Sequence, residues 1–306
     1  MSDRDSTQIL TSTVAKLSEP QSFKGMFHPH RDDTPLPSGK ILEEIISLAR
    51  AILFPGYYGN SSINLHTLPY HIGVDVEQFY NLLKGQINAG LCFMDDREAD
   101  GDGSNQHEQR RETASLSREL ALKLVARLPY IRELLATDVL AAYNGDPAAE
   151  STSEVISCYP IIRALTNYRI AHELALLGVP LIPRMMTEMA HSETGIDIHP
   201  QATIGRHFTI DHGTGVVIGA TCIIGDNVKI YQGVTLGAKS FPLDDDGNPI
   251  KGVPRHPVIG NNVVIYANAT VLGRVKIGDG CVIGANVWVT EDMEPNEVKV
   301  KKTGRP

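Results

Sequence analysis

Apolar residues change their spacing near residue 190 of this chain. Before that point, four stretches place apolar residues three and four positions apart, which predicts amphipathic helices. The stretches are ILEEIISLARAIL, VDVEQFYNLLKGQI, LSRELALKLVARLPYIRELLATDVLAAY and YPIIRALTNYRIAHELALLG. Residues 1–40 are polar and proline-rich near their end, so we expect a flexible N-terminal arm there, followed by a helical domain at 41–190.

After residue 190, a single aliphatic residue returns at every sixth position. Thirteen positions share this phase: Ile198, Ile204, Ile210, Ile218, Ile224, Ile230, Leu236, Ile259, Ile265, Val271, Ile277, Ile283 and Val289. One inward aliphatic side chain per unit indicates a short strand followed by a turn, repeated as the coils of a β-helix. The sequence therefore predicts an α+β protein, with a parallel β-helix at 191–306 that is interrupted by a loop at 237–258. Cys222 and Cys281, four positions after an aliphatic residue, are expected in its core.

The six-residue rhythm breaks within TIDHGTGVVIG, residues 209–219, where the step between aliphatic residues is eight. Extra residues in a stiff solenoid form a bulge that projects a side chain from the wall. His212 lies in this bulge, and Gly213 and Gly215 allow the backbone to kink. Because histidine is the usual base for removing a proton from a hydroxyl at neutral pH, His212 is a candidate general base. An ordinary surface histidine is the alternative.

Charge and cysteine content restrict the partners and the compartment. The formal net charge is −8 and the pI is about 5.8, which disfavours nucleic acid or an anionic membrane as the main partner. No apolar run approaches the length of a membrane span, and the first ten residues lack the apolar core of a secretory signal. Cys92, Cys158, Cys222 and Cys281 form no CxxC pair. We therefore expect a cytoplasmic protein with reduced thiols and no metal.

Several segments resemble the hexapeptide-repeat acyltransferases, and among them the serine O-acetyltransferases. They are TGIDIHPQATIG, IDHGTGVVIG, QGVTLGA and RHPVIG, with DPAAESTSEVISCYP and NYRIAHELALLG in the helical part. The resemblance covers roughly residues 140–290, and it implies a left-handed β-helix with three units per coil. It also implies a homotrimer or hexamer, with the helical domain contributing to the oligomer and to part of the serine site. The implied reaction moves an acetyl group from acetyl-CoA to the L-serine hydroxyl, giving O-acetyl-L-serine and CoA in cysteine biosynthesis.

The same resemblance implies roles for individual residues. Asp197 and His212 would form a catalytic dyad, in which the carboxylate fixes the tautomer of the imidazole. Serine binding falls to Asp146, Asp211, Arg255 and His256, and CoA binding to Ala238, Ala267 and Ala285. An arginine suits a carboxylate because its guanidinium can donate two parallel hydrogen bonds. The structural alternatives are a turn cap for Asp197, a helix N-cap for Asp146, a solvated loop for Arg255 and His256, and ordinary turn alanines.

The chain departs from the family pattern in the long loop and at its end. It finishes in TGRP, without the C-terminal isoleucine that enters O-acetylserine sulfhydrylase in this family, so no stable cysteine synthase complex is expected through this tail.

Three other functions are compatible with a β-helix: acetyl transfer to another hydroxyl, a metal enzyme like the γ-type carbonic anhydrases, and a non-catalytic scaffold. His207 and His212 have the metal enzyme's spacing, but its third histidine would have to come from two coils upstream, where the sequence is helical. A scaffold gives no reason for Asp197, His212 and Arg255 to occur together.

Overall fold

The chain begins with helices and continues as short parallel strands. This is a computed structural model, which describes residues 3–26, 36–59, 62–98, 106–240 and 242–301. Its helices are α1 (Asp3–Leu17), α2 (Gly39–Leu53), α3 (Leu68–Glu98), α4 (Gln106–Gly145), α5 (Thr152–Cys158), α6 (Pro160–Leu176) and α7 (Ile182–Thr194). Residues Met1–Pro35 form one unit and Leu36–Pro306 another. Helix α1 therefore occupies part of the stretch for which composition predicted a flexible arm.

The predicted stretches at 41–53, 74–87 and 116–143 lie within α2, α3 and α4, and the stretch at 159–178 contains α6 and extends past it at both ends. Both α3 and α4 continue beyond the predicted limits into the polar segment between them, of which residues 99–105 lie outside the described part. The apolar faces meet in a core that includes the fully buried Leu42, Phe79, Leu83 and Leu124. None of the helices in the described ranges is long and apolar enough to cross a membrane.

The strands repeat in groups of three. They are β1 (Asp197–Ile198), β2 (Thr203–Ile204), β3 (Thr209–Asp211), β4 (Val217–Ile218), β5 (Ile223–Ile224), β6 (Lys229–Tyr231), β7 (Thr235–Gly237), β8 (Val258–Ile259), β9 (Val264–Ile265), β10 (Thr270–Leu272), β11 (Lys276–Ile277), β12 (Val282–Ile283), β13 (Trp288–Val289) and β14 (Val298–Lys299).

Every third strand pairs in parallel register, so that the strands form three sheets. Sheet 1 has the order β1-β4-β7-β10-β13, sheet 2 has β11-β8-β5-β2, and sheet 3 has β14-β12-β9-β6-β3. The result is a left-handed parallel β-helix of about five turns; the six-residue period predicted the β-helix, and the family resemblance implied its hand.

The predicted repeat positions coincide with the strands. All thirteen aliphatic residues lie in β1 to β13, and each is buried, with Ile204 the most exposed at 6%. Cys222 and Cys281 are buried in the core, as predicted. The interrupting loop lies between β7 and β8. Strand β14 was not predicted, because Pro295 stands where the next aliphatic residue would fall.

Side chains of α6 attach the helices to the first coil. The hydroxyl of Tyr168 donates to the carbonyl of Ala202 at 2.7 Å, and Arg169 donates to the carbonyls of Ile204 and Gly205 at 2.6 and 2.7 Å. Thr137 and Asp138 of α4 accept from the backbone N–H groups of His207 and Phe208, each at 3.1 Å, and so hold this helix beside β3.

Candidate active site

The bulge predicted from the broken rhythm is the turn between β3 and β4. His212, Gly213 and Gly215 all have positive φ angles, of 58°, 91° and 79°. Gly213 is required there for a second reason, since an added Cβ would lie 2.5 Å from Cδ1 of Ile196. The side chain of His212 is 77% exposed, so the insertion projects the imidazole from the wall.

A small pocket opens beside this bulge. Its lining includes Asp146 and Tyr159 from the helical part and Asp211 and Lys229 from the β-helix. Oδ1 of Asp211 lies 3.9 Å from Nε2 of His212, and Oδ2 lies 3.4 Å from Nζ of Lys229. Three of the predicted site residues, two carboxylates and the histidine, therefore meet at one place.

Asp146 is held by two hydrogen bonds. Its Oδ1 accepts from the backbone N–H of Ala148 at 2.8 Å, and its Oδ2 accepts from the hydroxyl of Tyr159 at 2.5 Å. The bond from Tyr159, followed by that from Ala148, lowers the pKa of Asp146, and the same contact raises the pKa of Tyr159 to about 12. Both shifts favour an ionised Asp146 beside a neutral phenol.

The helix N-cap alternative for Asp146 is wrong. Helix α5 begins at Thr152, and its N-cap is Ser151, whose Oγ accepts from the backbone N–H of Glu154 at 3.1 Å. Asp146 instead closes a local turn with Ala148, which leaves its second oxygen for Tyr159.

His256 is buried, at 7% exposure, and its ring packs directly over Gly219, where an added Cβ would lie 2.1 Å from Cδ2. Nδ1 accepts from the backbone N–H of Thr221 at 3.1 Å and lies 2.8 Å from its Oγ1. Burial, then the charges of Arg255 and Arg274, lowers the pKa of His256 to about 4. The ring is therefore neutral near pH 7 and presents Nε2–H as a donor.

The solvated-loop alternative is wrong for His256. Oγ1 of Thr221 accepts from the backbone N–H groups of Arg255 and His256, at 2.9 and 3.1 Å, and ties this end of the loop to the β-helix. Nη1 of Arg274 donates to the carbonyl of His256 at 3.0 Å. These contacts join residues far apart in sequence, and nothing in the repeat distinguishes Thr221 or Arg274.

His199 lies near Arg255 and His256, and it was not among the predicted site residues. Burial lowers the pKa of His199 to about 4, and the charges of Arg184, His256 and Arg255 act in the same direction. This region thus combines neutral imidazoles with guanidinium groups, which suits a carboxylate ligand. The signal for His199 was present, since it lies in the quoted segment TGIDIHPQATIG.

Asp197 begins β1, where its Oδ1 lies 3.7 Å from Nη1 of Arg184 on α7. Within the described ranges, this is the ion pair that Asp197 makes, and no hydrogen bond joins it to His212. Arg184 also pairs with Glu188, whose carboxylate lies with Asp197 and His191 in a group of possible metal ligands. The Asp197–His212 dyad and the expected absence of a metal both stay predictions.

The predicted residues fall at two edges of sheet 1. We call the turn at 212–215 the His212 corner and the turn at 219–221, on which His256 packs, the His256 corner; strand β4 separates them. Ala267 and Ala285 lie along the first edge, where the N–H of Asn286 donates to the carbonyl of Ala267 at 3.0 Å. Ala238 follows β7 at the second edge. At about 3.3 Å per residue, the two corners of one chain are roughly 15–20 Å apart.

Coils with one buried aliphatic residue in six define a hexapeptide-repeat protein, and two family models place it among the transferases. A family model described as bacterial transferase hexapeptide (six repeats) matches residues 256–291, and one described as hexapeptide repeat of succinyl-transferase matches 215–241. A plasmid serine acetyltransferase of Synechococcus elongatus is 47% identical over 289 residues, which span 93% of this chain and 88% of that protein. The chain belongs to the serine acetyltransferase family.

Solved structures agree over most of the chain. Serine acetyltransferase 1 of Entamoeba histolytica, in complex with L-cysteine, superposes with a TM-score of 0.71 at 35% identity, covering 90% of this chain and 91% of that one. Soybean serine acetyltransferase complexed with serine gives 0.54 at 28% identity, with coverages of 89% and 99%. The likeness therefore includes helices as well as the β-helix.

Proposed function

We infer that this protein is a serine O-acetyltransferase, which transfers the acetyl group of acetyl-CoA to the hydroxyl of L-serine and forms O-acetyl-L-serine and CoA. The carrying observation is the projecting His212 beside the carboxylates of Asp146 and Asp211. A base next to paired negative charges fits an acceptor that has both a hydroxyl and an ammonium group. The product would be used in cysteine biosynthesis, and we propose that the enzyme is cytoplasmic.

The two charged groups of serine match the opposite charges of the His212 corner and the His256 corner. Its ammonium group would pair with Asp146 and Asp211, and its carboxylate with Arg255. The buried, neutral His256 would add a hydrogen bond from Nε2–H to the same carboxylate. Opposite charges at the two ends of the site select a zwitterion over a neutral hydroxyl compound such as a sugar.

The proposed chemistry is direct transfer without an acyl-enzyme. His212 removes the hydroxyl proton as the serine oxygen attacks the thioester carbonyl, and the C–O bond forms. A backbone N–H in the glycine-rich turns would stabilise the tetrahedral oxyanion. The C–S bond then breaks, and the CoA sulfur leaves with the proton from His212. Asp197 would orient the imidazole, which requires it to exchange Arg184 for His212 as the site assembles.

The separation of the two corners supports an oligomeric site. A homotrimer would set the His212 corner of one subunit against the His256 corner of its neighbour, and each groove would then hold both ends of serine. Acetyl-CoA would lie in this groove along Ala267 and Ala285 of one subunit and Ala238 of the other. In this proposal residues 191–306 form the catalytic domain, while 41–190 supply Asp146 and the contacts that pair trimers into a hexamer.

The deciding experiment follows release of the CoA thiol from acetyl-CoA with different acceptors. We expect release to depend on L-serine, and to be much slower with a sugar or with an amino acid lacking a hydroxyl. Fast release with a sugar and none with serine would overturn the proposed function. Light scattering on the same sample tests the assembly, because a fully active monomer contradicts a shared site.

A further inference from the structure

Lys229, the first residue of β6, makes contacts on both sides of the pocket beside His212. Its Nζ donates to the carbonyl of Gly145 at 2.6 Å and lies 3.4 Å from Oδ2 of Asp211. The ammonium also sits 4.6 Å from the ring centre of Tyr231, and the side chain is only 20% exposed. A lysine with three such contacts has lost most of its rotamer freedom, so its position is well defined.

The two polar contacts join separate parts of the chain. Gly145 ends α4 and directly precedes Asp146, whereas Asp211 ends β3, which pairs with β6. The fit is close, since an added Cβ on Gly145 would lie 3.6 Å from the side chain of Lys229. Lys229 therefore fastens the segment that carries Asp146 to the coil that carries Asp211.

Charge gives this contact a second consequence. Two carboxylates facing one small pocket repel each other, and each disfavours ionisation of the other. Burial acts to lower the pKa of Lys229, but Tyr231 and Asp211 outweigh it and the pKa is raised, so the lysine remains a cation. Asp146, Asp211 and Lys229 together carry one net negative charge, which balances a single ammonium group.

We propose that Lys229 is a positioning residue for the acceptor: it holds Asp146 beside Asp211 and adjusts their joint charge so that the pocket accepts one primary ammonium group. This inference rests on the proposed function, and it adds a residue whose place in the repeat gave no hint of a role. Lys229 stands immediately before a buried aliphatic residue, as Lys276 does in β11.

The test compares Lys229→Met, which keeps an unbranched side chain one atom shorter and removes the charge, with Lys229→Arg, which keeps the charge. Lys276→Met is the matched control, because Lys276 occupies the equivalent repeat position and is exposed. Lys229→Met loses the charged hydrogen bond to the carbonyl of Gly145, which holds Asp146 in place. We therefore expect the KM for serine to rise about tenfold or more, the size typical of a lost hydrogen bond to a charged group. The KM for acetyl-CoA and the melting temperature should stay near those of the wild type. Lys229→Arg should recover most of the loss, and Lys276→Met should show none.

An unchanged KM for serine in Lys229→Met overturns the role of Lys229. Equal increases in the KM values for serine and acetyl-CoA, together with a lower melting temperature, also overturn it, since a purely structural residue would behave in that way. A wild-type protein that releases no CoA with serine overturns the proposed function and this inference together. The wild-type assay thus separates the two failures.

Discussion

Asp138 on α4 and Arg169 on α6 form a fully buried ion pair, in which Nη2 of the guanidinium lies 3.1 Å from Oδ2 of the carboxylate. Oδ1 of Asp138 also accepts from the backbone N–H of Phe208 at 3.1 Å. Because Arg169 donates to carbonyls of the first coil as well, the pair fixes two helices to the β-helix. It thereby sets where α4 ends and where Asp146 can lie.

Removing one member of this pair should cost much of the protein's stability. Asp138→Ala leaves the Arg169 cation buried without its partner, and we expect the free energy of unfolding to fall by about 3–5 kcal/mol. Denaturant-induced unfolding provides the measurement. Glu119→Ala is the control, because Glu119 pairs with Lys123 on the surface, where loss of an ion pair costs about 1 kcal/mol or less. Equal costs for the two variants would contradict a structural role for the buried pair.

The buried His256 predicts a pH dependence of stability. Its folded-state pKa of about 4 lies below the ordinary value of 6.5, so between these values the unfolded chain binds the extra proton. Stability should therefore rise as the pH increases from 4 to 6.5, and this contribution is complete above 6.5. His256→Asn should make that part of the curve less steep, and His199 should supply slope that remains, because its pKa is also lowered to about 4. The same change at exposed His66 controls for loss of a histidine. Identical curves for wild type and His256→Asn would show that His256 titrates normally.

The shape of the bulge should matter for turnover. Gly213→Ala places a Cβ against Ile196 and forces the turn that carries His212 to move, so we expect turnover to fall about tenfold to a hundredfold. Gly247→Ala is matched in backbone strain, with φ of 80°, but its Cβ would meet open space. Turnover should fall only in Gly213→Ala. Equal turnover in the two variants would contradict a role for the shape of the bulge in catalysis.

Asp146 should act on serine rather than on acetyl-CoA. Asp146→Ala removes a carboxylate from the pocket beside His212, and we expect a sharply higher KM for serine with the KM for acetyl-CoA nearly unchanged. Tyr159→Phe, which removes only the hydrogen bond to Asp146, should give a smaller increase. Unchanged serine kinetics in Asp146→Ala would exclude this residue from the site.

The sequence predicted those features that follow from the spacing of apolar residues along the chain. One buried aliphatic residue in six specified the β-helix, and the single step of eight located the bulge at His212. Lys229 contacts Gly145, and Thr221 contacts His256, only because segments distant in sequence pack together. The spacing of apolar residues therefore could not predict these contacts. The same limit applies to Asp197, because sequence spacing did not reveal that α7 places Arg184 beside it.

The central claim, that His212 is the base for acetyl transfer to serine, is tested most directly by one comparison. Release of the CoA thiol with saturating L-serine is measured for wild type, His212→Ala and Asp197→Asn, with light scattering to verify that each variant keeps the wild-type oligomer. We predict that His212→Ala lowers turnover by about 10²–10⁴ and that Asp197→Asn causes a smaller loss. Near-wild-type turnover in His212→Ala, with the oligomer intact, would contradict the account.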